Sequence, residues 1–413
     1  MSVSTAKKEF PSEFNIPVLT TRSAAIACAR ELVPRLSERA IHAEEIRRIP
    51  DETISEFRAC GLTGILTPKC FGGSQLGISA VVEASVELAK GCVSSGWVFG
   101  NMVGHYWLVS LFPLVVQEQV YKRPGALVST IFRFGGNAPV RVEGGYQIKG
   151  GEGKWASGVD HAEWIVLGVT PEGGEPVYML VPREDFSIVD DWHTSGMRGT
   201  GSKSIHVADA FIPNARVVRL ADVAAGTTPG GTELGIPLFR LPMSITLPLS
   251  LVGAPIGGAL SAINAFIKNN QPRLAGLTEP ELSAQSATFA RVGEANAMVE
   301  AAFSLIMRDA EGVDAMSGVS DISPRYMFQA SRDLAYAAQT SRRAINSLIE
   351  ASGGSTIYNT SEIQRIWRDV NGVCGHVGFN WDATMTNAGR FDLGLPMSTF
   401  NRFSKPRVEP VAS

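Results

Sequence analysis

Residues 241–266 carry no charged side chain. A helix built from such a run has no face suited to water and must be buried on every side. About 20 apolar residues are also enough to cross a bilayer. Pro242, Pro248 and Pro255 and a high content of small residues point instead to the central helix of a globular core. A helix buried all round needs others to cover it, and the sequence supplies them. Helical patterns over about 241–270, 280–311, 323–352 and 359–390 are joined by short polar loops. Four long helices with short connections predict an antiparallel four-helix bundle.

What precedes the bundle has two different periods. From Arg22 to Arg48 apolar residues recur at helical spacing (Ala25, Cys28, Leu32, Leu36, Ala40) until Pro50-Asp51 stops them. Asp51 is read as the cap of a second helix through Phe57, with Gly61 past its end. Ile78–Leu88 reads as a third, and Ser94–Phe112 as a fourth, nearly uncharged and so buried. On it Trp97 and His105 lie a little over two turns apart and face roughly the same way. Near Pro124 the composition shifts to Val, Ile, Gly and aromatics in short runs, which predicts a β-domain of barrel or sandwich type. The chain is therefore α+β: a helical domain over 1–123, a β-domain over 124–222, a Gly/Thr/Pro-rich linker over 223–240, and the bundle with its tail over 241–413. Residues 1–20 read as a loose arm.

Inside the β-domain, Lys154-Trp155-Ala156-Ser157-Gly158-Val159-Asp160-His161-Ala162-Glu163-Trp164 separates two strand patterns. Alternation along a strand puts Trp155 and Ser157 on one side and Ala156 on the other. An indole beside a small hydroxyl suits a surface that receives a planar ring and hydrogen-bonds its edge. The plainer alternative is a β-bulge with a buried Trp.

Several function classes are disfavoured. A net charge of −3 gives no electrostatic case for nucleic acid or an anionic membrane. The five cysteines (28, 60, 70, 92, 374) are scattered, odd in number and lack a CxxC, as reduced thiols of a cytoplasmic protein do. The first ten residues have no apolar signal core. The six histidines show no ligand spacing, so no metal is expected. Neither Gly135-Gly136 nor Gly199-Thr200-Gly201 leads from a strand into a helix, so NAD(P)H has no dinucleotide-binding seat. Ser95-Gly96 and Ser157-Gly158 lack the flanking glycine of a nucleophile elbow.

The order of parts, with Phe71-Gly72-Gly73, Trp155-Ala156-Ser157, the loop Gly196–Ser202 leading to Phe211-Ile212-Pro213, and Arg368-Asp369 in the last helix, resembles the acyl-CoA dehydrogenase fold over roughly 25–400. Ser157-Gly158-Val159-Asp160-His161-Ala162-Glu163 and Gly201-Ser202-Lys203 are similar to strings of its oxygenase branch, the oxygenase components of two-component flavin monooxygenases such as p-hydroxyphenylacetate hydroxylase. The chain departs from the dehydrogenases where they keep a catalytic base. An acyl thioester needs a carboxylate to take its α-proton. After Arg368-Asp369 the corresponding stretch is Val370-Asn371-Gly372-Val373-Cys374-Gly375-His376-Val377-Gly378, with Val377 at the base position. The alternative base is missing too, since no Asp or Glu lies between Glu233 and Glu279.

The resemblance implies reduced flavin (FADH2 or FMNH2), O2, an oxygen adduct at flavin C4a, and hydroxylation of an aromatic substrate, phenolic or indolic. A separate NAD(P)H:flavin reductase and a homotetramer are implied with it. His376 is expected to hold and protonate the adduct, an imidazole being a suitable neutral donor near neutral pH. The resemblance places Ser157 near flavin N5 and Trp155 against the isoalloxazine. Ser129 and Thr130 match the first β-strand that touches flavin, and Trp97 an aromatic over the ring. His105 matches a histidine that helps deprotonate the substrate. Rival readings are a helix histidine bonded to a backbone carbonyl for His376 and a packed core histidine for His105. For the whole chain they are N- or S-oxygenation, residual acyl-CoA oxidation, and a flavin- or ligand-binding protein without turnover. Dehydrogenation would require a base, and a binding-only protein would not require His376 in a space cleared by Gly375 and Gly378.

Overall fold

The structure, a computed structural model, describes residues 16–396. The arm read at 1–20 lies mostly outside them, as does the tail past 396. The helical domain holds α1 (Arg22–Ile46), α2 (Asp51–Ala59), α3 (Ile78–Gly91), α4 (Val93–Gly104), α5 (Tyr106–Val109) and α6 (Leu114–Tyr121). Asp51 is the first residue of α2 and makes no cap hydrogen bond there; Pro50 stands at the cap. All of α4 is buried, as its lack of charge requires. Three glycines four residues apart let it approach its neighbours. A Cβ on Gly96 would stand 2.6 Å from the Ala89 Cβ, one on Gly100 2.1 Å from the Ser250 carbonyl oxygen, and one on Gly104 2.4 Å from Ser250 Oγ. The helix read as Ser94–Phe112 is in fact two, with His105 at the joint between α4 and α5.

The β-domain has nine strands: β1 (Val128–Ile131), β2 (Gly135–Gly136), β3 (Val140–Val142), β4 (Gly145–Ala156), β5 (Trp164–Val169), β6 (Val177–Pro182), β7 (Ser187–Val189), β8 (Lys203–Pro213) and β9 (Val217–Arg219). They form two open sheets, ordered β1-β5-β6-β9 and β2-β4-β8-β7, with β3 on the edge of β4. No closed barrel forms, and of the two expected architectures the open, two-sheet one is correct. The sheets meet across small residues: a Cβ on Gly153 of β4 would stand 2.6 Å from the Ile131 side chain of β1. The pair β1–β5 is parallel and places Ser129 beside Ile165 and Thr130 beside Val166.

Residues 220–240 contain α7 (Leu220–Ala225) and α8 (Pro229–Leu234). They pack on the helical domain, where Trp107 Nε1 donates to the Leu238 carbonyl at 2.8 Å. The bundle consists of α9 (Met243–Leu274), the short α10 (Glu279–Ser283), α11 (Ser286–Asp314), α12 (Pro324–Glu350), α13 (Glu362–Val373) and α14 (Trp381–Asp392). By length and composition α9 could cross a membrane, yet 78% of its most apolar window is buried inside the fold. It touches α3, α4, α11, α12 and α13. The fourth segment, read as one helix over 359–390, is broken between α13 and α14. Gly375 and Gly378 weaken the helix there, and Asn380 starts a new one by accepting the Ala383 N–H at 3.0 Å.

Candidate active site

The register of β4 against β8 shifts between Gly153 and Ala156, the mark of a β-bulge. The extra residue leaves Trp155 at φ +70°, where a bulky side chain costs about 1–2 kcal/mol. Its indole is 73% exposed, while Ser157 is buried. The two side chains therefore do not share a side, contrary to simple alternation. The bulge reading holds, but its tryptophan points to solvent. Such strain is a feature of ligand-facing backbone.

Ser157 is the centre of the site. Its Oγ accepts the Trp97 Nε1–H at 3.0 Å and lies 2.8 Å from Ser202 Oγ, itself 2.7 Å from Thr200 Oγ1. Trp97 stands edge-on to His376, ring centroids 5.1 Å apart, and Phe379 closes the group at 6.5 Å from Trp97 and 5.8 Å from His376. Three remote segments thus meet: α4, the β4–β5 turn and the α13–α14 connection. Ser129 Oγ donates to the Ser157 carbonyl at 3.1 Å and Thr130 Oγ1 to the Val166 carbonyl at 3.0 Å, so both hydroxyl protons are committed to backbone.

His376 was expected within a helix. It sits in the turn, where its Nδ1 accepts the Gly378 N–H at 3.1 Å. An accepting Nδ1 is unprotonated, so neutral His376 carries its proton on Nε2. A Cβ on Gly378 would crowd that Nδ1 at 3.1 Å, so the glycine both clears the ring and supplies its bond. His105 is the reverse. Its Nδ1 lies 2.8 Å from the Val128 carbonyl, which can only accept, so neutral His105 carries its proton there and Nε2 is the basic nitrogen. Burial pushes its pKa down to about 4, so it is neutral at physiological pH. Val128 is next to Ser129, and this joins His105 to the same strand that supports Ser157.

The string after Ser157 clasps the domains together. Gly158 N–H donates to the Thr200 carbonyl at 2.9 Å and Lys203 Nζ to Asp160 at 2.8 Å. His161 Nε2 lies 2.7 Å from the Ile49 carbonyl, and Glu163 accepts from Arg58 at 3.0 Å and from the Leu127 N–H at 2.5 Å. The loop Gly196–Ser202 is held from the other side by α13. Arg368 pairs with Glu44 and donates to the Ser195 carbonyl, while Asp369 accepts the Met197 N–H at 2.5 Å. Burial pushes the Asp369 carboxyl up to about 6. It faces the loop backbone and is no base for a substrate. Sequence reasoning marked this loop but missed Thr200 and Ser202 as partners of Ser157; the contact joins positions 45 residues apart, which no local pattern displays.

The residues suit a flavin. A strained, exposed indole offers a flat face, Ser157 a hydroxyl oxygen, and His376 an imidazole beside the position where the dehydrogenases keep a carboxylate base. Val377, at the expected base position, is an exposed aliphatic, and α9 contains no acidic residue. This donor set does not fit acyl thioester dehydrogenation.

Comparison with known proteins agrees. The family models for the acyl-CoA dehydrogenase N-terminal domain and C-terminal domain match residues 20–113 and 249–381. The chain is 33% identical over 380 residues to the FADH(2)-dependent resorcinol hydroxylase oxygenase component of Rhizobium sp. (strain MTP-10005), covering 86% of this chain and 90% of that one. It is also 33% identical over 387 residues to the pigment production hydroxylase of Rhodococcus sp. (strain ATCC 21145), covering 92% and 98%. The crystal structure of 3-HSA hydroxylase from Rhodococcus sp. RHA1 superposes with a TM-score of 0.85 at 28% identity, over 91% of this chain and 98% of that one. The chain belongs to the acyl-CoA dehydrogenase superfamily and, within it, to the oxygenase components of flavin-dependent monooxygenases.

Proposed function

We propose that this oxygenase component hydroxylates a phenolic or indolic substrate with O2 and reduced flavin (FADH2 or FMNH2) delivered by a separate NAD(P)H:flavin reductase. Reduced flavin, when bound, supplies the activation of O2. The chain's residues orient the ring, hold protons and exclude water. Trp155, Trp97, Ser129 and Thr130 would hold the ring system, and Ser157 would meet its N5 edge. His376 would offer Nε2–H to the oxygen activated on the flavin, and His105 would take the substrate hydroxyl proton at Nε2. General acid–base assistance of this kind is worth about 10²–10⁴-fold. The observation that carries the reading is Trp97, which bonds Ser157 at 3.0 Å and stacks edge-on against His376 at 5.1 Å.

The test is anaerobic loading with reduced FMN or FAD, followed by oxygen and a panel of phenols and indoles. An accepted substrate should divert oxygen from hydrogen peroxide into product. Absence of reduced-flavin binding, or a peroxide yield unmoved by every aromatic, would refute the proposal.

The protein also functions as a cytoplasmic homotetramer in this reading. Ile357 and Tyr358 before α13, and Leu393 and Leu395 after α14, are exposed apolar side chains on the bundle and support assembly through it. A monomer in sedimentation at micromolar concentration would contradict the assembly.

A further inference from the structure

The hydrogen-bond chain behind Ser157 has a fixed polarity. One end is the Trp97 Nε1–H, which can only donate, and the other is the Met197 carbonyl, which can only accept. Thr200 Oγ1 donates to that carbonyl at 2.8 Å, so its proton is used. The 2.7 Å contact between Thr200 and Ser202 must then carry the Ser202 proton, and the 2.8 Å contact between Ser202 and Ser157 the Ser157 proton. All four groups are buried. Ser157 thus has no proton to offer, and one oxygen lone pair remains beyond the one that Trp97 occupies. Any further partner of Ser157 Oγ has to be a donor.

We infer that Thr200 and Ser202 are positioning residues that hold Ser157 as an acceptor and thereby make the site select reduced over oxidised flavin. This rests on the proposed function, which puts Ser157 at N5. Reduced flavin carries N5–H, a donor; oxidised flavin presents a bare N5 lone pair there, and two acceptors facing each other in a buried site leave both unsatisfied. The discrimination is set behind Ser157, by the hydroxyls of Ser202 and Thr200. Met197 itself is kept in place by Asp369 at its N–H and, at its carbonyl, by Trp192 Nε1 at 3.0 Å and the Thr200 N–H at 3.1 Å, so the anchor does not depend on the Thr200 hydroxyl.

Dissociation constants for oxidised and anaerobically reduced FMN and FAD, measured by equilibrium dialysis on the full chain, test this. The wild type should bind the reduced form more tightly. Thr200→Val removes the link to Met197 and lets the Ser202 proton turn to Ser157 and the Ser157 proton turn outward. The ratio of oxidised to reduced dissociation constants should then fall by roughly tenfold, the effect of one hydrogen bond gained by oxidised flavin. Ser202→Ala cuts the chain one link earlier and should do the same, which keeps the test alive if the valine variant does not fold. Thr200→Ser retains the hydroxyl and should retain the wild-type ratio, which a merely structural role for the threonine methyl would not allow. Wild-type binding with an unchanged ratio in both Thr200→Val and Ser202→Ala overturns this inference and leaves the proposed function standing. Failure of the wild type to bind either flavin form overturns both.

Discussion

The joints at His105 and His376 are built alike and wired oppositely. Each interrupts what reads as a continuous helix, and each ties Nδ1 to the backbone. At His105 the tie is a carbonyl, so the ring proton is held at Nδ1 and Nε2 is left basic. At His376 the tie is the Gly378 N–H, so Nδ1 accepts and Nε2 keeps the proton. In the neutral rings, backbone polarity leaves an acceptor at Nε2 of His105 and a donor at Nε2 of His376. The lesson is that the tautomer of a neutral histidine can be set by which end of a peptide group its Nδ1 meets.

The largest effect that could break this contrast is on hydroxylation. His105→Ala should lower the hydroxylation rate by about 10²–10⁴-fold while reduced flavin still binds and still consumes oxygen, now released as peroxide. The deficit should be greatest at low pH, where a phenol stays neutral. The wild type should show no titration of His105 between pH 5 and 8, because its pKa is near 4. A product-against-peroxide assay over pH checks both statements.

His376→Ala should fail differently, raising peroxide release with or without substrate. His376→Gln, which keeps an N–H donor, should recover part of the coupling. Matching substrate dependence in the two alanine variants would mean that the assigned roles are wrong.

Stability against pH separates the joints without any ligand. The His105 pKa is depressed in the folded state, from 6.5 to about 4, by burial. Its contribution is therefore fully present above pH 6.5 and is lost as pH falls through 4. A shift of that size corresponds to on the order of 3 kcal/mol. Denaturant unfolding of wild type and His105→Asn should converge as pH drops from 7 to 4. Parallel curves would show that the buried neutral ring is not what the acid side attacks.

The smallest effect belongs to Ser157, which stands between the two joints. Ser157→Ala should change stability by no more than about 1–2 kcal/mol. Peroxide leakage should rise roughly tenfold for each 1.4 kcal/mol of lost interaction. Leakage unchanged while product falls would move Ser157 from the flavin side of the contrast to the substrate side.

The element order was legible because it depends on period and composition, whereas the candidate site residues came from the family resemblance. The uncharged α4, the alternating β-runs and the long bundle segments each carry their own signal. The joints were not legible. Helical periodicity runs through His105 unbroken, and only the packed structure shows the ring turned to Val128. The break at His376 was signalled by two glycines and by Asn380 three residues before Ala383, a cap pattern overridden by the length of the apolar repeat. Trp155 went astray because alternation assumes a regular strand, and one inserted residue reverses it. Proton positions are fixed by partners far away in sequence.

The glycines at 96, 100 and 104 carry a consequence for laboratory evolution of this protein. They lie on the same short helix as Trp97 and beside His105, where a library aimed at new substrates would naturally be placed. A single added methyl at Gly100 would meet a main-chain oxygen of α9 at 2.1 Å, and that stretch of α9 is itself buried. Diversity at those three positions should be lethal for reasons unrelated to substrate choice. Productive variation has to come instead from the loop around Phe132, whose side chain already faces outward.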